Sequence, residues 1–136
     1  MKTRLRACGA VILDDRILMV RPVHAGRDYW TLPGGGIESD ETPAQAAERE
    51  VLEETGIEVS ADRFLFRASS RSGRNTTICF LMTEPHDVNH SLGVDPEEAH
   101  LDEGERMLQD VTWHPIDAVR SDYMVARVLE ALERDE

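Results

Sequence analysis

Along much of the chain, apolar and polar residues alternate, and runs rich in β-branched residues recur. This pattern predicts a fold of strands interrupted by helices. Strands are predicted over residues 4–13, 16–21, 29–32, 64–68, 76–83 and 107–114. Asp14-Asp15 separates the first two runs and predicts the turn of a hairpin. The order of strands, helix, strands and helix predicts a mixed α/β domain with helices packed on a sheet.

The segment 42–55 is predicted to be a helix because both of its ends carry capping signals. Thr42 suits the N-cap, Pro43 suits the first helical position, and Gln45 completes a capping box with Thr42. Gly56 follows where a left-handed C-terminal cap is expected. Three small or branched residues fall on one side and are expected to pack on the sheet: Ala44, Ala47 and Val51.

The remaining segments are predicted to be loops and one further helix. Residues 22–28 and 69–75 are polar enough for loops, and 84–106 is a long acidic segment that is expected to contain a mobile loop. From residue 116 onward the pattern is helical. The apolar face of that helix is expected to carry Met124, Val128, Leu129 and Leu132.

Size and charge restrict the classes of function. The chain has 136 residues, which predicts one domain over 1–136, and its net charge is −12. Binding of a nucleic-acid polymer through a basic surface is therefore not expected. No apolar run reaches the roughly 18 residues of a membrane span, so a cytoplasmic protein without a membrane partner is expected. Cys8 and Cys79 lie in apolar runs and are expected to be buried free thiols.

Three glutamates of the first helix create an electrostatic conflict. Glu50, Glu53 and Glu54 share one helix face, where like charges repel by about 0.2–0.5 kcal/mol per pair. They also lie in the C-terminal half, where the helix dipole disfavours negative charge. Two interpretations account for this face: a solvated acidic surface, or a site for a divalent cation that shares carboxylate oxygens with substrate phosphates.

The segment before the helix favours the second interpretation. Residues 32–36 read Leu-Pro-Gly-Gly-Gly, and three consecutive glycines allow backbone amides and carbonyls to approach a ligand closely. A glycine loop beside a carboxylate helix is suited to a metal-bridged polyphosphate.

This stretch resembles the Nudix box, whose pattern is G, five residues, E, seven residues, then R-E-aliphatic-any-E-E-any-G-aliphatic. Every fixed position is matched between residues 35 and 57: Gly35, Glu41, Arg49, Glu50, Val51, Glu53, Glu54, Gly56 and Ile57. Weaker similarity extends from Arg6 through 29–33 and again over 113–117.

The resemblance implies an α/β/α sandwich around a mixed, partly open sheet, and Mg²⁺ as cofactor with Mn²⁺ as the alternative ion. It implies metal ligation by Glu50, Glu53 and Glu54 with a backbone carbonyl near Gly35, and an orienting role for Arg49 through an ion pair with a box glutamate. Glu53, Glu54 and Arg49 are the catalytic candidates of the box. Glu41 either stabilises the start of the helix or binds metal.

Candidates outside the box are less constrained. The general base is either a box glutamate or an acid of the long acidic segment, where Glu103 and Glu105 are favoured because they precede the last strand. Trp30 and Trp113 are expected to pack, and a metal site at His86 and His90 is not expected. Substrate contacts are expected at an aromatic side chain and three arginines, for which surface positions are the alternative: Tyr29, Arg21, Arg67 and Arg74.

The expected function is Mg²⁺-dependent hydrolysis of a diphosphate linkage in a nucleoside diphosphate derivative, with a small-molecule nucleotide as partner. The markers that the family uses for ADP-ribose, dinucleoside polyphosphates and coenzyme A are not found, so nucleoside triphosphates and nucleotide sugars stay open. The alternatives are an isoprenyl diphosphate isomerase of the same fold and a non-catalytic nucleotide sensor. The complete box argues against both, and the resemblance also allows a homodimer.

Overall fold

The computed structural model describes residues 4–24, 26–89 and 108–134. Within these ranges the chain forms eight strands and three helices. The strands are β1 (Arg4–Ala10), β2 (Ile12–Leu13), β3 (Arg16–His24), β4 (Arg27–Asp28), β5 (Gly34–Gly36), β6 (Ala61–Ser69), β7 (Asn75–Met82) and β8 (Leu108–Pro115). The helices are α1 (Pro43–Thr55), α2 (Ile116–Val119) and α3 (Tyr123–Arg134).

The strands form two sheets, and residues 4–13 contribute β1 to one sheet and β2 to the other. One sheet has the order β5-β1-β7-β6, with β1 parallel to β7 and the other pairs antiparallel. The other has the order β2-β3-β4, and β8 pairs with β3 on its remaining side. The predicted mixed sheet is therefore present.

Helices cover both faces of the mixed sheet. Because side chains alternate along a strand, Ala7 of β1 joins an apolar cluster with Val51 of α1. Cys8 joins a second cluster with Val125 and Val128 of α3. These two clusters form the cores of an α/β/α sandwich, which confirms the predicted fold class.

The ends of α1 follow the predicted capping chemistry. The Thr42 hydroxyl accepts a hydrogen bond from the Gln45 backbone N–H at 3.1 Å, and the Gln45 side chain accepts one from the Thr42 N–H at 2.9 Å. Gly56 closes the helix with φ of +73° and donates its N–H to the Leu52 carbonyl. The buried side of the helix differs by one position, because Ala46 rather than Ala44 is fully buried.

Two predictions around residues 22–32 are wrong. Residues 22–28 are not a loop, because β3 continues to His24 and pairs with β4. Pro22 lies where the β3–β8 register shifts, a position that tolerates the missing N–H. Residues 29–32 are not a strand, since only Thr31 bridges to Val20.

Two predicted elements are divided in the structure. The run 4–13 splits at Val11, whose carbonyl accepts from Leu18, and β2 then enters the second sheet. The C-terminal helix splits into α2 and α3, and Asp122 caps the start of α3 by accepting from two backbone N–H groups. The predicted turn at Asp14-Asp15 is confirmed, with both residues at positive φ.

The predicted glycine loop is a strand. Gly34 and Gly36 of β5 pair with Cys8 and Arg6 of β1. A Cβ at Gly34 would lie 2.6 Å from the Cys8 Cβ, so the close approach of these strands requires glycine. The glycines therefore allow β5 to pair with β1 at the edge of the sheet.

Cys8 and Cys79 face each other across the β1–β7 pair as buried free thiols, as predicted. Their mutual hydrogen bond, followed by burial, raises the pKa of the Cys79 thiol well above its usual range. In the described part of the chain, no helix has the length and apolar character needed to cross a membrane.

We predict that Gly34→Ala lowers the free energy of unfolding by about 1–3 kcal/mol, because the new methyl group overlaps β1 backbone and Cys8. Gly36→Ala is the matched control in the same strand. Its Cβ would meet only the end of the flexible Arg4 side chain, at 3.3 Å, so a much smaller loss is expected. Urea unfolding measures both variants, and equal losses would contradict the role assigned to Gly34.

Candidate active site

Arg49 of α1 connects the helix to β5 and to three carboxylates. Its guanidinium donates to Glu41 at 2.6 and 3.1 Å and to the Gly36 carbonyl at 3.0 Å. The same group donates to Glu50 at 2.9 Å and to Glu53 at 3.3 Å. One planar guanidinium group therefore fixes side chains of the loop and of the helix and the backbone carbonyl of the strand.

Glu41 is committed to Arg49 in this structure. Its side chain is only 12% exposed, and it also accepts a hydrogen bond from the Glu38 N–H at 2.9 Å. The hydrogen bonds from Arg49 hold the pKa of Glu41 below its usual value, and Glu41 in turn raises the pKa of Arg49. Of the two roles considered for Glu41, its contacts favour stabilisation of the loop and helix start.

Glu54 and Glu50 form an inner pair of carboxyl groups beside β5. Glu54 accepts a hydrogen bond from the Gly34 N–H at 3.2 Å and lies within hydrogen-bonding reach of Glu50. Burial raises the pKa of Glu54 well above its usual range, Glu50 adds to the shift, and Gly34 and Arg6 oppose it. Two acids are thus held close together where water screens them poorly.

Gly35 makes room for this pair. A Cβ at Gly35 would lie 2.6 Å from the carboxyl carbon of Glu50, closer than real Cβ atoms approach. The glycine therefore lets the helix carboxylate rest directly against the strand backbone. Any larger residue at this position would displace Glu50.

Glu53 differs from the inner pair because its side chain is 44% exposed and its described contact is with Arg49. Partial burial raises the pKa of Glu53, and the charge of Glu50 adds to the shift, whereas Arg49 opposes it. The structure thus divides the predicted ligands into an inner pair, Glu50 and Glu54, and an outer carboxylate, Glu53.

The inner pair fits a hard divalent cation. Among residues 4–24, 26–89 and 108–134, no group of three His, Cys, Asp or Glu side chains is arranged so that it could hold a metal ion. Two adjacent carboxyls beside the β5 backbone instead offer a partial set of oxygen ligands. Mg²⁺ commonly takes one or two carboxylates and fills its other positions with water and substrate phosphate.

The carboxylates lie on the wall of a cavity of about 1530 Å³. Of the predicted substrate contacts, Tyr29 lines this cavity, half-exposed, with the Arg27 guanidinium 5.0 Å from its ring centre. Arg21 is paired with Asp28 at 3.0 Å.

The three predicted arginines are not part of the cavity wall as the described residues define it. Arg67 is exposed on β6 at the far edge of the sheet, and Arg74 is exposed before β7. The substrate contacts of Arg21, Arg67 and Arg74 stay predictions, and Arg74 directly precedes Asn75, which lies on the cavity wall.

The remaining candidate residues either have clear positions in the structure or fall outside the described residues. Glu103 and Glu105 fall outside the described residues. Trp30 packs edge-on against His114, with ring centres 4.5 Å apart, as expected for a packing residue. Trp113 also packs, and its indole N–H donates to the Val88 carbonyl at 3.1 Å.

The cavity also contains polar residues that sequence reasoning missed. They lie on two neighbouring strands and comprise Arg4, Arg6, Asn75 and Thr77. The available signal was the alternation of arginine with leucine at residues 4–6, which places both arginines on one face of a strand.

Together the fold and the site define an α/β/α protein whose carboxylate-bearing helix packs on a glycine strand beside a large cavity. The family model described as NUDIX domain matches residues 3–134. The chain therefore belongs to the Nudix family, as its box predicted. Proteins of this family generally use divalent metal ions.

Relatives of known name match parts of the chain. It is 49% identical over 55 residues to a MutT-like protein of Streptomyces ambofaciens, a match that covers 40% of this chain and 34% of that protein. It is 34% identical over 70 residues to diphosphoinositol polyphosphate phosphohydrolase 2 of Rattus norvegicus, covering 52% of this chain and 38% of that protein. The matches thus span little more than a third of either relative.

Among solved structures, the chain is similar to an ADP-ribose pyrophosphatase from Streptococcus suis, with a TM-score of 0.72. The match covers 99% of this chain and 93% of that chain at 18% identity. Similarity at this level of identity shows the common fold.

We predict that Arg49→Ala lowers the free energy of unfolding by about 2–4 kcal/mol. The substitution leaves the largely buried carboxylates of Glu41 and Glu50 without the guanidinium that pairs with them. Chemical denaturation in a metal-free buffer measures the loss. Arg120→Ala is the control, since Arg120 pairs with Asp117 on the surface and is 61% exposed. That variant is expected to lose less than about 1 kcal/mol, and an equal loss in both would rule out a special role for Arg49.

Proposed function

We propose that the protein is a Mg²⁺-dependent hydrolase of a diphosphate linkage in a nucleoside diphosphate derivative, with Mn²⁺ as the alternative ion. The observation that carries the proposal is the inner pair of carboxyls, Glu50 and Glu54, held against β5 beside the cavity. In water such a pair would separate, whereas Arg49 and the Gly34 N–H keep it together.

The bound cation would be held by Glu50 and Glu54, with Glu53 and a carbonyl near Gly35 as further ligands, and would neutralise phosphoryl charge and acidify water. The chain's own contribution is to preorganise these groups. Arg49 fixes Glu50 and Glu53, and the Gly34 N–H fixes Glu54. Catalysis by positioned charges needs this rigidity because reorganisation during the reaction is avoided.

In the proposed reaction, a water oxygen attacks one phosphorus and the bridging P–O bond breaks. The bridging oxygen leaves with the other phosphate, and the proton of the water passes to a carboxylate. Glu53 and Glu54 are the proposed acceptors among the described residues, since both lie on the cavity wall beside the proposed cation site. Glu103 and Glu105 are the proposed acceptors from the acidic segment.

The cavity supports a nucleotide as the partner. Its volume exceeds the usual 300–1,000 Å³ of small-molecule sites, and an exposed aromatic ring, Tyr29, lies on its wall. The ring offers a stacking surface for a base. The phosphohydrolase and pyrophosphatase named above support the same bond chemistry.

The proposal is tested by incubating the protein with nucleoside triphosphates, nucleotide sugars, ADP-ribose and dinucleoside polyphosphates. Products are followed by phosphorus NMR, with Mg²⁺ present or chelated. Cleavage of one class that stops on chelation supports the proposal. Tight binding of one compound without any product would support the non-catalytic sensor instead and overturn the hydrolase.

We predict that Glu54→Gln lowers kcat by about a hundredfold or more, since stabilisation of phosphoryl charge by a cation is worth several kcal/mol. Glu53→Gln is expected to lower kcat in the same direction. Glu58→Gln is the control, because Glu58 is exposed just beyond the helix and outside the cavity wall. Steady-state kinetics and circular dichroism check activity and folding, and near-normal activity in both site variants would refute the assignment.

A further inference from the structure

The two cysteines of the chain lie side by side on the inner strands of the mixed sheet. Cys8 of β1 and Cys79 of β7 are directly paired in the parallel register, and both belong to the apolar cluster beneath α3. Both are free thiols. Since the chain has only these two cysteines, each thiol has one possible partner for a disulfide within the molecule.

The strand spacing brings the two thiols within reach of a covalent bond. Paired residues of neighbouring strands have Cα atoms about 4.8 Å apart, inside the range of about 4.4–6.8 Å that disulfides span. The thiols already hydrogen-bond to each other, and the raised pKa of the Cys79 thiol makes it the donor of that bond. The two sulfur atoms are therefore neighbours before any oxidation.

The two thiols differ in their access to solvent. Cys8 lies on the wall of the cavity beside the carboxylates and is 4% exposed. Cys79 is fully buried and is not among the described residues of that wall. An exposure as small as that of Cys8 admits a compact oxidant such as hydrogen peroxide and hinders bulky thiol reagents. Cys8 is thus the thiol that an oxidant meets first, and Cys79 is the protected thiol beside it.

Cys8 is also in contact with the strand that supports the inner carboxyl pair. It pairs with Gly34 of β5, and a Cβ at Gly34 would lie 2.6 Å from the Cys8 Cβ and 2.8 Å from its Cα. The Gly34 N–H in turn donates to Glu54 at 3.2 Å. A single strand residue therefore lies between the dithiol and Glu54, so a shift of Cys8 acts on the support of that carboxyl group.

We propose that Cys8 and Cys79 are a redox modification site, at which a hydroperoxide converts the dithiol into a disulfide that joins β1 to β7. The Cys8 thiolate attacks one peroxide oxygen and the O–O bond breaks. Cys8 becomes a sulfenic acid, while the other oxygen takes up the proton that Cys8 released and leaves as water or an alcohol. The Cys79 sulfur then attacks the Cys8 sulfur, the S–O bond breaks, and the hydroxyl group leaves as water with the Cys79 proton. The two thiols lose two electrons and two protons, and the peroxide gains them.

Closing the disulfide draws Cys8 and Cys79 together. The Cβ atoms of paired residues on parallel strands are about as far apart as the strands, about 4.8 Å, whereas those of a disulfide are about 3.8 Å apart. Because Gly34 packs directly against Cys8, a movement of Cys8 towards β7 weakens the close fit of β5 to β1. The disulfide is therefore expected to loosen the hydrogen bond from Gly34 to Glu54.

The mass of the oxidised protein tests the site. The reduced protein is treated with hydrogen peroxide in the presence of a chelator, and the remaining thiols are alkylated in denaturant. We expect a product in which the peptides of Cys8 and Cys79 are cross-linked with the loss of two hydrogen atoms, and which regains both thiols with dithiothreitol. Cys79→Ala is the matched control, since Cys8 then has no thiol beside it and is expected to stop at its oxygen-bearing acids.

Three results would overturn the proposal. They are two free thiols after treatment of the folded natural protein, an oxygen-bearing acid at Cys8 in that protein, and a disulfide between two molecules on a non-reducing gel. Circular dichroism before and after treatment checks that the protein is folded. The test does not use turnover, so a failure of the proposed hydrolase would leave its result unchanged.

Amide hydrogen exchange tests the link to the carboxylates. We expect the Gly34 amide to exchange about tenfold faster in the disulfide form than in the reduced form, and dithiothreitol to restore the slower rate. The double variant Cys8→Ala/Cys79→Ala controls for oxidation of methionine, and its exchange is expected to be the same with and without peroxide. A disulfide that leaves exchange at Gly34 unchanged would overturn the link. Since Glu54 belongs to the proposed cation site, kcat is expected to fall with the same reversibility, and this last expectation rests on the proposed function.

Discussion

The hydrogen bonds of the Arg49 guanidinium are the interaction on which the site depends. A single planar group reaches the loop at Glu41, the β5 backbone at Gly36, and the helix carboxylates of Glu50 and Glu53. Five donors in a fixed plane suit this task in a way that a lysine ammonium does not. The arrangement offsets part of the acidic repulsion on α1 and leaves Glu54, on the far side of Glu50, as the acid that burial affects most.

The glycines of β5 play a complementary steric role. Gly34 allows β5 to approach β1, and Gly35 allows Glu50 to rest against the strand. The acidic face of α1 is therefore neither a freely solvated surface nor a closed cage. It is a pair of carboxyls held in place by a neighbouring strand, which is the arrangement that an incoming cation and phosphate can complete.

The helix and its chemistry could be predicted because their determinants are local. Thr42, Gln45 and Gly56 specify the ends of α1 through contacts within a few residues, and the carboxylates share a face by helical spacing. Strand pairing is not local, which is why the glycine segment was predicted as a loop. For the same reason the position of Arg4 and Arg6 on the cavity wall was missed, since it depends on their pairing with β7 and on Gly36 at the next strand. Arg67 was predicted from a cluster along the chain, but it lies on the edge strand β6 and is not among the residues of the cavity wall.

The parallel pairing of β1 with β7 has a consequence for how the protein folds. It joins residues 4 and 75, which are 71 positions apart (75 − 4), and the two inner strands of the mixed sheet cannot pair with each other until this long loop closes. A high contact order of this kind slows folding. Because the cavity wall includes residues of both β1 and β7, it is completed by this late event and not by the locally encoded helix. A newly made chain would then acquire α1 early, yet have no complete cavity wall until β1 and β7 have paired.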